Sequence, residues 1–371
     1  MVMKYIKQAI KQSETKSISY STFMELALYH PEMGYYMKQQ TKIGKTGDFY
    51  TSSSVSSIFA ETLADVFIKL METGAVWPTI VEFGAGNGSF AKQVLASWRM
   101  KSPETYHKGS YFIVETSPHH KQLIQETVSS FQKVTILESL KELQTLMPKY
   151  QGIIFSNEFF DAFPVDVIEK KNGMLFEVKI TEGKTDELEE VLIPLENQHI
   201  LEFIHDYQIK VIEGFRFEVP IAMCRFIREL GDWLTEGIVF TIDYGYSDEE
   251  WLLPFHKEGS LRGYYKHQLI RNPLEHVGEM DLTTHIHLDK LILAGASSNL
   301  DHYATYRQDE YLLKAGILNY LEENHDTNPF SEKSKKNRAI RSLIMQGGIS
   351  SSFHVVIQTK NMNREVIEKL I

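Results

Sequence analysis

An α/β fold with a mostly parallel sheet is what the sequence predicts, and three observations carry it. From Thr79 short apolar runs alternate with helical stretches: "TIVEFG", "SYFIVET", "VTIL" and "GIIFSN" each stand next to a segment with helical spacing. The runs lack polar alternation, as strands covered on both faces do. Strand-then-helix repetition is the signature of parallel pairing through crossover helices. "GIVFTIDYGY" adds a fifth core strand and "SFHVVIQTK" a final one.

The elements follow in order. Residues 1–75 read as a helical extension: "MVMKYIKQAIKQS", then "STFMELALYH" opening on Ser21 with Glu25 nearby, then "IFAETLADVFIKLME". Between the last two, "KTGDFYTSSSVSS" is too rich in Gly, Ser and Thr for a helix interior. Residues 76–371 form the sheet domain, with insertions at about 165–210 and 247–285. In the first insertion "VDVIEKKNGMLFEVKIT" reads as a hairpin turning at Asn172-Gly173, and "KTDELEEVLIPLENQ" as a charged, exposed connection. "RFEVPIAMCRFIRELGDWL" restores a helix, residues 247–285 are loop-rich, and three helical stretches precede the last strand.

Composition narrows the function. The 371 residues carry 39 Lys and Arg against 49 Asp and Glu, a net charge of −10, which argues against nucleic acid held on a general basic surface. The single cysteine, Cys224, excludes an intramolecular disulfide framework and sits in a helical pattern as a buried thiol. The histidines lack the spacing of a helical metal site, so no metal is expected. No apolar run reaches 18 residues, so membrane insertion is not expected. The amino terminus has neither the apolar core of a signal peptide nor an arginine-rich transit pattern, which predicts a cytoplasmic protein.

Two motifs carry chemistry. "VEFGAGNGSF" follows the first strand and opens its helix, with glycines at 84, 86 and 88 that let the backbone approach a ligand. A dinucleotide turn would place its third small residue at Ser89, and no G-K-[ST] follows to make a phosphate loop. Glu82, two residues before Gly84, can accept from a ligand ammonium, and Glu115 closes the second strand where an acid grips ribose hydroxyls. This E-x-G-x-G-x-G turn with its second-strand acid resembles the S-adenosylmethionine site of class I methyltransferases.

The second motif, "SNEFFDAFPV", sets Asn157, Glu158 and Asp161 among phenylalanines at the end of the fourth strand, which borders the reacting methyl. Aromatic walls exclude water and face cations. Carboxylates pair with a guanidinium bidentately. Glu158 is the first choice for holding such an acceptor and Asp161 the second. The bland alternatives are a solvent-facing Glu158 and an Asp161 that caps a helix. Asn157 also fits, more distantly, the residue that accepts from the target amino group in enzymes methylating adenine, cytosine or glutamine.

In order, "GDFYTSSSVSSIFAETLA", "VEFGAGNGSF", "YFIVETSPHHKQLIQ", "SNEFFDAFPVDV", "FTIDYGY" and "GSLRGYYKHQ…HVGEMDLTTHI" resemble the MidA/NDUFAF7 family of class I methyltransferases over nearly the whole chain. The resemblance implies a Rossmann-like, mostly parallel seven-stranded sheet with an N-terminal helical extension and an inserted subdomain. It implies S-adenosyl-L-methionine as cofactor and N-methylation of an arginine on a partner protein. Carried onto this chain, Gly84, Gly86 and Glu115 bind the cofactor, Asp48, Thr51 and Ser52 cover it, and Asn157, Glu158 and Asp161 line the acceptor pocket. His287 departs from the family, standing where an aspartate is expected. A non-catalytic assembly factor and a methyltransferase for a nucleobase or small amine stay open as alternatives, as does a homo-oligomer. Of the later motifs, Asp243 and Tyr244 are candidates to touch substrate. Arg262 is a candidate for an acidic partner surface or the cofactor carboxylate, and His285 a candidate general base.

Overall fold

The computed structural model describes residues 2–39, 57–185, 187–323, 328, 330–345 and 352–370. Seven strands make the central sheet: β1 Thr79–Phe83, β2 Ser110–Val114, β3 Val134–Leu137, β4 Tyr150–Asn157, β5 Leu234–Tyr246, β6 Asp301–Arg307 and β7 Phe353–Lys360. Their spatial order is β6-β7-β5-β4-β1-β2-β3. All pairings from β3 through β5 are parallel, and β7 runs antiparallel to both β5 and β6. The two residues Ile286–His287 pair in parallel beside the carboxyl end of β5. The order reverses between β1 and β4, and a doubly wound sheet opens a ligand crevice at such a point.

Both faces are covered. On one, the helices Ser57–Glu72 and Ser89–Lys101 bury Phe67, Phe90 and Trp98 against Phe155 and Phe240. Phe90 stacks on Phe155 with ring centroids 4.3 Å apart. Fully burying one such side chain contributes about 1.5–3 kcal/mol. On the other face, the helices Ile221–Trp233 and Leu288–Ala296 cover Phe83, Ile154 and Val239. Cys224 lies in this core, its thiol pushed up to about 12 by burial.

The N-terminal helices Met3–Gln12 and Tyr20–Tyr29 belong to a third core. They pack Ile6, Ile10, Phe23 and Leu28 on Val167, Val178 and Ile180 of an inserted antiparallel sheet, and Ile18–Ser19 pairs with that sheet directly. Ser19, not Ser21, caps the second helix, its hydroxyl accepting from the Thr22 amide at 3.2 Å. Ser21 donates to Asp166 instead.

The expected hairpin forms between Asp166–Lys171 and Met174–Glu182, with Asn172 and Gly173 at positive φ of 53° and 80°. Other expectations change. The segment read as a charged connection contains a strand, Leu188–Pro194, paired along Met174–Glu182. Arg216–Val219 is a further strand of this sheet rather than helix, so the inserted sheet runs past residue 210. Within 247–285, Arg262–Tyr265, Gln268–Ile270 and Asp281–Thr283 form a three-stranded sheet where loops were expected. β6 is a strand that the apolar pattern of the sequence does not predict.

Candidate active site

A cleft of about 1350 Å³ opens along the carboxyl ends of β1 to β5. Ligand cavities usually hold about 300–1,000 Å³, so this one has room for a cofactor and part of an acceptor. Gly84, Gly86 and Gly88 adopt φ of 70°, 55° and 77°, and Gly84 and Gly86 line the cleft. An L side chain there is strained. At Gly84 a Cβ would also come within 2.8 Å of the Phe159 ring, which ties the glycine turn to the turn after β4.

Glu115 ends β2 with one carboxylate oxygen accepting from the Ser117 amide at 2.9 Å, while His120 Nδ1 stands 3.7 Å from the other. Glu82, buried on β1, accepts from the Tyr111 hydroxyl at 2.6 Å. Burial pushes its carboxyl up to about 8, the tyrosine bond opposing and the Glu115 charge adding. Both acids line the cleft, as do Glu138 and Ser139 past the end of β3. The sequence reading missed those two. Their signal was available: they sit at the next strand end along the same crevice.

The turn after β4 is held from below. Asp243, buried on β5, accepts through one oxygen from the backbone amides of Phe159, Phe160 and Asp161, at 3.2, 3.0 and 3.3 Å. Its other oxygen accepts from the Tyr244 amide at 3.0 Å. Burial raises this carboxyl well above the usual range, and the Asp161 and Glu158 charges add to the effect. Asp243 therefore anchors backbone, and it does not line the cleft.

Glu158 sits above this anchor at a φ of 51°, its amide donating to Ile242 O at 2.9 Å. A non-glycine residue in the left-handed region costs about 1–3 kcal/mol and is found where function demands it. Asn157 Nδ2 donates to Glu158 Oε1 at 3.1 Å, while Asn157 Oδ1 is buried with no hydrogen-bond partner among the described residues. Asp161 is engaged through one oxygen. Its Oδ2 accepts from the Tyr244 hydroxyl and from Thr283 Oγ1, the latter at 2.8 Å, and burial raises its carboxyl. It does not cap a helix; it lies inside the short turn Phe160–Ala162.

Aromatic residues wall this half. Phe159 packs on Phe83, Phe163 and Phe226 with centroids 5.7, 5.0 and 5.3 Å apart. Tyr29 and Tyr36 of the N-terminal extension stack over the cleft, and their hydroxyls donate to Ala162 O and Asp281 Oδ1 at 3.0 and 2.6 Å. Tyr29, Tyr36, Phe226 and Asp281 were not in the predicted pocket. His285 lies outside the cleft lining, stacked on Tyr246, and burial with the nearby Arg262 charge pushes its imidazole down to about 2. His287 packs between Trp251 and Phe217, away from the cleft. Asp48, Thr51 and Ser52 lie outside the described residues.

A family model described as "S-adenosyl-L-methionine-dependent methyltransferase" matches residues 60–305. The chain belongs to this methyltransferase family. Its cofactor is S-adenosylmethionine, and the cleft suits that molecule on its own chemistry: a turn in which Gly84 and Gly86 present no Cβ, with carboxylates to meet cationic groups and hydroxyls. Over 303 residues the methyltransferase is 26% identical to "Protein arginine methyltransferase NDUFAF7 homolog, mitochondrial" of Drosophila melanogaster, covering 73% of this chain and 65% of that one. It thus spans just under two thirds of that relative. Its identity to the Homo sapiens protein named "Protein arginine methyltransferase NDUFAF7, mitochondrial" is 27% over 333 residues, 83% of this chain and 72% of that one. In fold it resembles a Burkholderia thailandensis protein whose crystal structure holds S-adenosyl-homocysteine, with a TM-score of 0.86 and 24% identity, covering 98% of this chain and 93% of that one. The cytoplasmic location expected from the amino terminus is corrected: these NDUFAF7 relatives are named mitochondrial, which points away from it. Among the described residues no helix is long and apolar enough to cross a membrane.

Proposed function

We propose that this methyltransferase transfers the cofactor's methyl to a nitrogen of an arginine side chain on a partner protein. The observation that carries the reading is the pair Asn157 and Glu158. An amide oxygen buried without a partner among the described residues and a carboxylate on a strained backbone line the same cleft as the glycine turn. A buried acceptor atom without a donor costs about 1–3 kcal/mol, which an incoming N–H group relieves. Glu158 supplies the charge that a guanidinium, always protonated in water, requires. The NDUFAF7 relatives, named protein arginine methyltransferases, support the same acceptor.

S-adenosylmethionine would supply an electrophilic methyl for in-line displacement: the N–C bond would form as the S–C bond breaks, S-adenosylhomocysteine would leave, and the surplus N–H proton would pass to a carboxylate of the cleft. The protein's part is to position and to exclude water. Glu115 grips the ribose hydroxyls and Glu82 accepts from the ammonium. Glu158 holds the far nitrogens of the guanidinium, drawing positive charge toward itself and leaving the attacking nitrogen richer in electrons. Asn157 Oδ1 accepts one N–H and fixes the angle of approach. Asp161, occupied by two hydroxyls, braces Tyr244 and Thr283 at the pocket wall rather than gripping the guanidinium. Phe159, Phe163 and Phe226 keep water out.

Incubating the protein with methyl-labelled cofactor and a mitochondrial extract, then hydrolysing the protein fraction, tests the proposal. Label in methylated arginine is expected. Label confined to RNA or small amines would overturn it.

A further inference from the structure

We propose that Arg262 is the residue that binds the carboxylate of the cofactor's methionine moiety. This goes beyond the choice of methyl acceptor and does not depend on it. The first observation is the charge of the cleft. Seven carboxylates line it, and Arg262 is the single arginine or lysine to do so among the described residues. S-adenosylmethionine carries a sulfonium, an ammonium and one carboxylate. The acids suit the two cations, but a carboxylate brought among them is repelled unless a fixed positive charge receives it.

The second observation is that Arg262 is placed and, among the described residues, forms no ion pair with a carboxylate. It stands on the three-stranded inserted sheet, in register with Thr283. Its guanidinium carbon lies 5.8 Å from the ring centres of both Tyr244 and Tyr264. Nη2 points to His285 Nε2 at 3.4 Å, a neutral partner. No carboxylate lies within ion-pair distance of it among the described residues, and its buried Nε has no hydrogen-bond partner there. A buried N–H left unpaired is costly, and the Nε edge of a guanidinium is one of those that receives carboxylates bidentately.

The third is the order of strand ends. Glu138 and Ser139 mark β3, Glu115 β2, and Glu82 with the glycine turn β1. With the ribose at Glu115 and the adenine beyond it toward β3, the amino-acid end of the cofactor extends the other way, toward β4 and β5. Arg262 lies over Tyr244 of β5. Neighbouring strands are about 4.8 Å apart, so this is within reach of one extended nucleoside-amino acid conjugate.

The test is calorimetry on the full chain with two ligands, S-adenosylmethionine and its decarboxylated analogue, in wild type, R262Q and R262K. Wild type should favour the carboxylate-bearing ligand by about ten- to a hundredfold, the range of a charge-assisted pair. R262Q should lose that preference while binding the decarboxylated analogue as wild type does, and R262K should keep part of it. The ratio within each variant separates a lost contact from damage to the fold, which weakens both ligands alike. A wild type that binds the two equally overturns the assignment. So does R262Q or R262K with the full wild-type ratio, which would put the carboxylate on the backbone N–H groups of the glycine turn.

Discussion

The two halves of the cleft are built differently. The cofactor half comes from the ends of β1, β2 and β3, each a strand running straight into its own turn, with Glu82, Gly84, Gly86 and Glu115 within a few residues of the strand that aims them. The acceptor half is assembled from segments far apart in sequence: Tyr29 and Tyr36 from the N-terminal extension, Asn157 to Phe163 after β4, Phe226 from a helix, Tyr244 from β5, and Asp281 from the inserted sheet. The first half is local geometry and the second is tertiary. Damage to the first should weaken cofactor binding, and damage to the second should spare it while removing turnover.

The sharpest break between the halves is Glu158→Gln. Turnover should fall by at least about a hundredfold, since the charge that meets the guanidinium is gone. Cofactor affinity by calorimetry should stay within about twofold, because local binding sites are independent of it. A variant that still turns over at the wild-type rate would remove Glu158 from its role.

Next comes the anchor beneath the acceptor half. Asp243→Ala leaves three amides of the Phe159–Asp161 turn without their acceptor. Denaturant unfolding should show a loss of about 2–4 kcal/mol, the cost of unpaired buried N–H groups. Asp243→Asn, which keeps one acceptor oxygen, should lose less.

On the cofactor side, Glu115→Ala should weaken S-adenosylmethionine by about tenfold or more, with charge-assisted bonds to hydroxyls lost. Equal affinity in this variant would erase the distinction drawn between the two halves.

The smallest effect is a proton count. The Glu82 carboxyl sits at about 8 in the free protein, so at pH 7 it is mostly protonated. An ammonium arriving beside it lowers that value and releases the proton. Calorimetry at pH 7 in buffers of different ionisation heat should show close to one proton released per cofactor bound, and none for Glu82→Gln. The same shift fixes a stability trend. An acid raised in the fold is protonated there while ionised in the unfolded chain, so stability falls as pH rises from about 4.5 to about 8 and is unaffected below that window. Glu82→Gln should flatten it.

The same contrast explains how much could be read from the sequence. β1 to β5 and β7 were legible because apolar runs bounded by turns are a local signal. β6, Asp301–Arg307, was not: it is an edge strand with a half-exposed polar and aromatic pattern, "DHYATYR". Leu188–Pro194 hid for a related reason, its Glu189 and Glu190 standing exposed on the inserted sheet. Ser21 looks like the helix start in the sequence; Ser19 holds the cap position because the chain leaves a strand there. Within the acceptor half, the cluster of acids in "SNEFFDAF" was visible, but which acid is spent was not. That Asp161 answers to Tyr244 and Thr283 depends on partners 83 and 122 residues away.

The central claim is that Glu158 faces a guanidinium across the cleft. Its most direct test is amino-acid analysis of protein labelled from methyl-labelled S-adenosylmethionine by wild type and by Glu158→Gln, side by side. The prediction is methylated arginine from the wild type and none from the variant, with cofactor binding equal in both. Methylated arginine at the same level from Glu158→Gln would contradict it.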